Sequence, residues 1–285
     1  MPYRIAAVSF LNTVPLIEGL VAAPHPDVIL TVDLPSRLAA QLSGCTVDAA
    51  LVPAVEILRG RTGGILSPTG IACDGPVDSV ALFAAGPLDG IRTVWADRGS
   101  RSSVALLQVL LAEFHGVRPE FRETEPVPGR RLPAGEGMLV IGDRCFAQAG
   151  AVARDNPDDL RMYDLGSLWK DLTGLPFVFA AWAAAPDLTA RLPRDRIGSL
   201  GALLTASRDF GLQRLDELAV REAAAGKLGR GGEAGPGALA YYFGTSLRFV
   251  LGEGEWAGMR RFQELCIAHG LAPDLPFPEL LFPRS

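Results

Sequence analysis

The chain has 285 residues, 48% of them hydrophobic and 21% charged, with a formal net charge of −5. These values exclude a disordered chain and allow one large or two medium domains, each burying a core. The acidic balance argues against a nucleic-acid binder, whose face is basic. Only Lys170 and Lys227 among the 27 basic residues are lysines, and the arginines supply forked donors suited to carboxylates.

In chain order, Arg4–Phe10 reads as a strand and Pro15–Leu20 as a brief helix opened by its proline. Val28–Leu34 alternates as a strand, and a helix runs from the Leu34-Pro35-Ser36-Arg37 segment to Leu42, stopped by Gly44. Asp48–Val52 is a third strand and Val55–Arg59 a short helix. Short strands separated by helices make βαβ units on a mostly parallel sheet.

A second module starts near Pro87, with a strand at Ile91–Ala96. The helix Ser102–Phe114 follows, with an apolar face at Val104, Leu107, Leu111 and Phe114 and an end at His115-Gly116. Glu120–Glu123 is a candidate strand, Pro126–Gly137 a Pro/Gly/Arg loop and Met138–Ile141 a buried strand. Asp164–Leu172 reads as helix and Pro176–Trp182 as a long apolar strand. From Asp187 the chain is mostly helical, interrupted at Gly226–Gly237. Two such modules with a helical tail predict two lobes and a cleft, where ligands sit beyond the carboxyl ends of strands.

The longest apolar run, Leu175–Pro186, is well short of the roughly 20 residues of a membrane span. No secretory signal is visible at MPYRIAAVSFLN, so a cytoplasmic protein is expected. Cys45, Cys73, Cys145 and Cys266 form no C-x-x-C pair and read as four buried thiols. Gly226-Lys227 lacks the rest of a phosphate-binding loop. The Gly229–Ala234 glycine pattern follows a polar helical stretch rather than a strand, so it reads as loop. No metal or organic cofactor is expected.

His25 sits between prolines, while His115 and His269 each precede a glycine at a helix end, where capping accounts for them. Four other segments follow strands. Ser9-Phe10-Leu11-Asn12 offers a hydroxyl and an amide, or else a simple helix cap. The turn Cys73–Ser79 precedes the apolar strand Val80–Ala84, and turn chemistry by itself explains its Asp, Gly and Pro. Ser100-Arg101-Ser102-Ser103 opens a helix, either as an anion site or as an ordinary cap. Ile141-Gly142-Asp143 ends a buried strand, with a glycine that lets a ligand approach the backbone. Together the four point to a polar cleft for a small anion.

These segments resemble the chorismate dehydratase family of the futalosine route to menaquinone. The resemblance is carried, in order, by SFLNTVPL, LPSRLAAQL, DAALVPAVEIL, IACDGPVDSVALF, SRSSVALLQVLLAE, VIGDRCF and YDLGSLWKDLTGLPFVFAAWAA. It covers residues 4 to about 184, with a looser match in the last hundred residues and a Pro126–Gly137 loop shorter than the family's usual connection.

The resemblance implies an α/β, two-lobed type II periplasmic-binding-protein fold, each lobe a mostly parallel sheet flanked by helices. Residues 1–84 with 184–285 would form one lobe and 85–183 an inserted second one, with crossings near Val80–Ala85 and Phe179–Ala184. The implied partner is a small dicarboxylate, chorismate, which loses water to give 3-[(1-carboxyvinyl)oxy]benzoate. Asn12 and Ser79 match the family's active-site positions. Substrate contacts are expected from Ser9, Arg101, Ser102, Ser103, Gly142 and Asp143, with Ser102 and Ser103 holding a carboxylate and Asp143 acting as acid or wall.

An amide is no base near neutral pH, so Asn12 would orient the substrate while the enolpyruvyl carboxylate takes the proton. Two other readings stand beside this one: a non-catalytic small-anion binder on the same fold, and the sister dihydroxynaphthoate synthase.

Overall fold

The computed structural model describes residues 1–33, 35–127, 129–154, 159–226 and 235–281. The glycine pattern at 229–234 and Leu34 lie outside the described residues.

The chain begins as β1 (Tyr3–Val8), a 3-10 turn (Leu11–Thr13) and α1 (Val14–Ala22), whose first turn holds Pro15, where a missing N–H costs nothing. There follow β2 (Val28–Asp33), α2 (Pro35–Ser43), β3 (Ala49–Pro53), α3 (Ala54–Leu58) and β4 (Ile65–Cys73). The second module comprises β5 (Val80–Ala85), β6 (Thr93–Asp97), α4 (Ser102–Phe114), β7 (Glu120–Thr124), β8 (Glu136–Ile141), α5 (Asp143–Arg154), β9 (Leu160–Asp164) and α6 (Leu165–Thr173). The chain then returns through β10 (Phe177–Ala184) to α7 (Leu188–Arg191), α8 (Arg194–Leu212), α9 (Leu215–Ala224) and α10 (Pro236–Tyr241). A π-helical turn (Tyr242–Ser246), β11 (Arg248–Val250) and α11 (Glu253–Ala268) follow.

Two sheets result. The first has the order β11-β4-β10-β3-β1-β2 and the second β7-β6-β8-β5-β9. In the first, β1 runs parallel to β2 and β3, while β10 lies antiparallel between β3 and β4. In the second, β6 runs parallel to β7 and β8, while β5 is antiparallel to both its neighbours. The reversed strands β5 and β10 are the ones reached when the chain changes sheet, and edge strand β11 also runs antiparallel to β4. The passage out falls within residues 74–79 and the passage back within 165–176. Helices flank both sheets, giving the mixed α/β architecture that the alternation of short strands and helices predicts.

The core follows the hydropathy. β1, β3, β5, β8 and β10 are buried along nearly their whole length, whereas edge strand β2 alternates and leaves Ile29 and Val32 half exposed. The apolar face expected on Ser102–Phe114 is wider in the structure. Leu106 and Leu110 are as fully buried as Leu107 and Leu111, because α4 packs against α3, α6, α11 and β10. Each such leucine contributes roughly 1.5–3 kcal/mol. Cys73, Cys145 and Cys266 are buried, but Cys45 is only partly so. It sits in the left-handed turn after α2 with φ +56°, which corrects the expectation of four buried thiols. No described helix is long and apolar enough to cross a membrane.

Candidate active site

Between the two sheets, at the ends of β1, β3, β6 and β8, lies a cavity of about 610 Å³ including its mouth. Of the residues expected there, Asn12, Ser79, Arg101, Ser102, Ser103 and Gly142 line it, brought together from four separate segments. Ser9 and Asp143 do not. Ser9 is exposed at the end of β1. Asp143 opens α5, and its Oδ1 accepts the Leu11 N–H at 3.1 Å, so it holds the turn that carries Asn12.

Asn12 sits mid-way in the 3-10 turn rather than capping α1. Neither that turn nor α1 has a side-chain cap, and the Asn12 Oδ1 takes only a long bond of 3.4 Å from the Thr13 hydroxyl. Likewise the N-cap of α4, Arg101, makes no side-chain capping bond. The first N–H groups of a helix have no intrahelical partner, and together with its dipole they favour an anion. Ser102 Oγ accepts the Val55 N–H from the start of α3 at 3.3 Å, which leaves its own O–H to donate. The backbone before α4 is shaped by Asp97, whose Oδ1 accepts the Gly99 N–H at 3.1 Å. Burial pushes the Asp97 carboxyl upward, against the pull of that hydrogen bond and of the Arg144 charge.

Two hydroxyls in the lining, Ser79 and Ser100, are more than nine-tenths buried and make no well-formed hydrogen bond among the described residues, Ser79 facing only the Tyr242 phenol. A buried polar group left unmatched costs about 1–3 kcal/mol, so both are groups for which a ligand would compensate. Ser100 belongs to the helix-opening segment, yet nothing in its local spacing separates it from a loop serine. The hydroxyl of Ser79 lies against the phenol of Tyr242, whose ionisation burial pushes up strongly.

The turn carrying Ser79 is tight. Asp78 has φ +61° and the Ser79 N–H donates to Val77 O at 2.7 Å, a three-residue turn in a strained form. It is held by Asp164, the last residue of β9. That carboxylate accepts the N–H groups of Val77 (3.1 Å), Asp78 (2.8 Å) and Ser167 (2.9 Å), thereby also capping α6. Burial, which outweighs these bonds, raises the Asp164 carboxyl. A Cβ at Gly166 would strike Gly75 O, so only glycine allows α6 to approach the turn this closely. At Gly142, φ is +63° and a Cβ would meet the Phe10 ring at 3.3 Å. The space left by this glycine is filled by Phe10 from the facing lobe.

The electrostatics are sparse. Arg101 is the one ionisable side chain among the described lining residues, and none of them is His, Asp, Glu, Lys or Tyr. Its guanidinium is 3.8 Å from Glu56, a carboxylate already engaged at 2.9 Å by Arg59 and 3.0 Å by Arg61. The opposite wall is apolar, with Val8, Leu51, Ile71 and Phe179. Histidines lie elsewhere: His115 and His269 end α4 and α11 as expected. His269 also contacts Glu113 at 2.9 Å and Arg118 at 3.1 Å. Burial raises the thiols of Cys73 and Cys145 and pushes Cys266 up to about 12, so these are inert. Among the described residues, no group of three His, Cys, Asp or Glu could hold a metal ion.

The family described as menaquinone biosynthesis matches residues 3–268. A chorismate dehydratase from Thermus thermophilus is 32% identical over 262 residues, covering 88% of this chain and 89% of that protein. Among solved structures, an Archaeoglobus fulgidus protein superposes with a TM-score of 0.68 at 17% identity, over 94% of this chain and 97% of its own. The periplasmic aliphatic sulphonate binding protein of Escherichia coli gives 0.59 at 13% identity, over 100% and 94%. A Candida albicans protein described as having the generic periplasmic binding protein fold gives 0.58 at 12%, over 97% and 92%. The fold is therefore of the periplasmic-binding-protein kind.

Proposed function

From membership of the menaquinone-biosynthesis family, to which this chain belongs, we propose that it is a chorismate dehydratase. It is a carbon–oxygen lyase that removes water from chorismate to give 3-[(1-carboxyvinyl)oxy]benzoate. The supporting relative is the Thermus thermophilus enzyme of that name. The structural observation that carries the reading is a cavity furnished, among the described residues, with four serine hydroxyls, one amide and one guanidinium, and with no other basic side chain.

That inventory matches the chemistry. The hydrogen on the ether-bearing ring carbon of chorismate is acidified through the ring alkene and its carboxylate. Its C–H electron pair delocalises toward that carboxylate, the neighbouring C–OH bond breaks, and the ring becomes aromatic. The sum is loss of one water with no change of redox state. Aromatisation drives the second step, so the protein must chiefly assist the first.

Preorganised donors aimed at developing charge are the largest usual contribution to such assistance. The ring carboxylate, on which charge accumulates, is placed at the α4 N-terminus with Ser102, Ser103 and Arg101. Ser100, whose hydroxyl lacks a partner, joins the same anion site. Asn12 orients the enolpyruvyl arm so that its own carboxylate receives the proton, and the proton leaves on the departing hydroxyl as water. Ser79 donates to that hydroxyl. Ser9 and Asp143, away from the lining, are given no contact with substrate, and Asp143 supports the Asn12 turn instead.

Chorismate bearing deuterium on the ether-bearing ring carbon tests the order of steps. Slower turnover of the labelled substrate is expected. An Asn12→Asp variant that turned over at the full wild-type rate would contradict the orienting role, because a carboxylate there would repel the substrate's own.

A further inference from the structure

Two segments converge on the turn that carries Ser79, and one of them comes from a part of the chain with no evident relation to the cavity. The π-helical turn Tyr242–Ser246 lies between α10 and β11, more than 160 residues after Ser79. Such turns are rare and recur at functional sites. Ser246 is buried, and its hydroxyl donates a short bond to Asp78 Oδ2. Asp78 is the residue at φ +61° in the middle of the strained turn, directly before Ser79. At the other end of the π-helical turn, the Tyr242 ring meets Phe146 of α5 edge-on, 5.0 Å between centroids at 84°.

A left-handed conformation at a non-glycine residue persists only where its surroundings impose it. Asp164 fixes the backbone N–H of Asp78 at 2.8 Å, but one side of a clamp does not set the orientation of the residue that follows. The bond from Ser246 to the Asp78 carboxylate supplies the other side. Asp164 ends a strand of the second sheet, while the π-helical turn leads directly into β11 of the first. The pair thus grips the Ser79 turn from both lobes at the point where the chain crosses between them.

We infer that Ser246, acting through Asp78, is a positioning residue for Ser79, and that the π-helical turn exists to deliver it. The inference rests on the proposed role of Ser79 in water loss from chorismate. It adds a residue that does not touch the substrate.

The test is turnover of chorismate by the full chain as wild type, Ser246→Ala, Ser246→Thr and Asp78→Gly, each also in a Ser79→Ala background. Misplacing a reacting group by about 1 Å costs up to ~100-fold. Ser246→Ala and Asp78→Gly are therefore expected to lower kcat by about tenfold or more with KM within about twofold. Ser246→Thr, which keeps the hydroxyl, restores most of kcat. Asp78→Gly separates the clamp from the strain, since glycine accepts the turn but cannot bind Ser246.

In the Ser79→Ala background the further loss should vanish, because residues acting as a unit are not additive. Wild-type kcat in both Ser246→Ala and Asp78→Gly would overturn the inference, as would an equal loss with and without Ser79.

If the wild type leaves chorismate unchanged, the proposed function fails, and a second measurement still decides the positioning. Hydrogen exchange at the Ser79 amide, in the protein alone, should accelerate about tenfold or more in Ser246→Ala, the sign of a loosened local structure. An unchanged exchange rate would overturn it.

Discussion

On one side of the cavity Val8, Leu51, Ile71 and Phe179, all from strands of the first sheet, pack into the core with no polar group to satisfy. On the other, Ser100, Ser102 and Ser103 stand at the start of a helix without a side-chain cap, with Arg101 among them. Ser79 joins them on its strained crossing turn. The first wall is complete without a ligand. The second holds two buried hydroxyls and a helix terminus that a ligand would complete. Such a fold separates tasks: shape comes from the sheet that forms the core, charge recognition from loops placed beyond strand ends.

The polar wall is most exposed to change at Ser79. Ser79→Ala removes a preorganised donor while leaving the apolar wall intact, and kcat for chorismate should fall about 100- to 1000-fold. A loss below tenfold, in steady-state assays, would mean that the polar wall does not act on the departing hydroxyl. Ser103→Ala removes one contact to a bound carboxylate. Such a bond contributes about 1.5–3 kcal/mol, so kcat/KM should fall about tenfold or more, with part of the loss in kcat because charge accumulates on that carboxylate.

Two changes act through stability. Gly142→Ala forces a side chain into φ +63° against Phe10, at a cost of about 1–3 kcal/mol in urea unfolding. That result would show the two walls coupled through one glycine. Asp48, which does not line the cavity, acts on stability instead. Burial would raise its carboxyl, but hydrogen bonds from Arg4 and Arg191 hold it below the usual range. A lowered acid stabilises the fold above its unfolded pKa, and that contribution is lost as pH falls through the folded value. Asp48→Asn should therefore lose about 1–2 kcal/mol at pH 7. The gap to wild type should close as pH falls through and below the ordinary carboxylate range, with KM for chorismate unchanged at neutral pH.

What the sequence disclosed follows the same division. Helix α4 begins and ends where its residues predict, because Ser102 and the His115-Gly116 pair are local signals. The strand β4 is not read from sequence, since Pro68 and Gly70 inside it look like loop. Gly70 is there because a Cβ would strike Ala180 O on β10. Helix α5 is hidden by its small residues, DRCFAQAGAVAR, which form no apolar stripe. Strand β11 carries too few residues to show a period, and β9 (LRMYD) buries fully only its first residue, so no apolar run marks it.

In the cavity, Asn12, Arg101, Ser102, Ser103 and Gly142 were legible because each follows a strand read from the sequence, whereas Ser79 came from the family resemblance. Ser9 lies one residue past β1 and faces out, a matter of strand geometry that spacing alone does not fix. Asp164 and Ser246 had no local signature. They reach the Ser79 turn from 86 and 168 residues away from Asp78, and only the closed topology brings them there.

The most direct measurement is incubation of the purified protein with chorismate alone, with products separated by chromatography. 3-[(1-carboxyvinyl)oxy]benzoate should form in step with chorismate loss, and Ser79→Ala should slow its formation about 100-fold or more. Chorismate recovered intact, with binding registered by calorimetry, would contradict the proposed function and leave a small-anion binding protein on this fold.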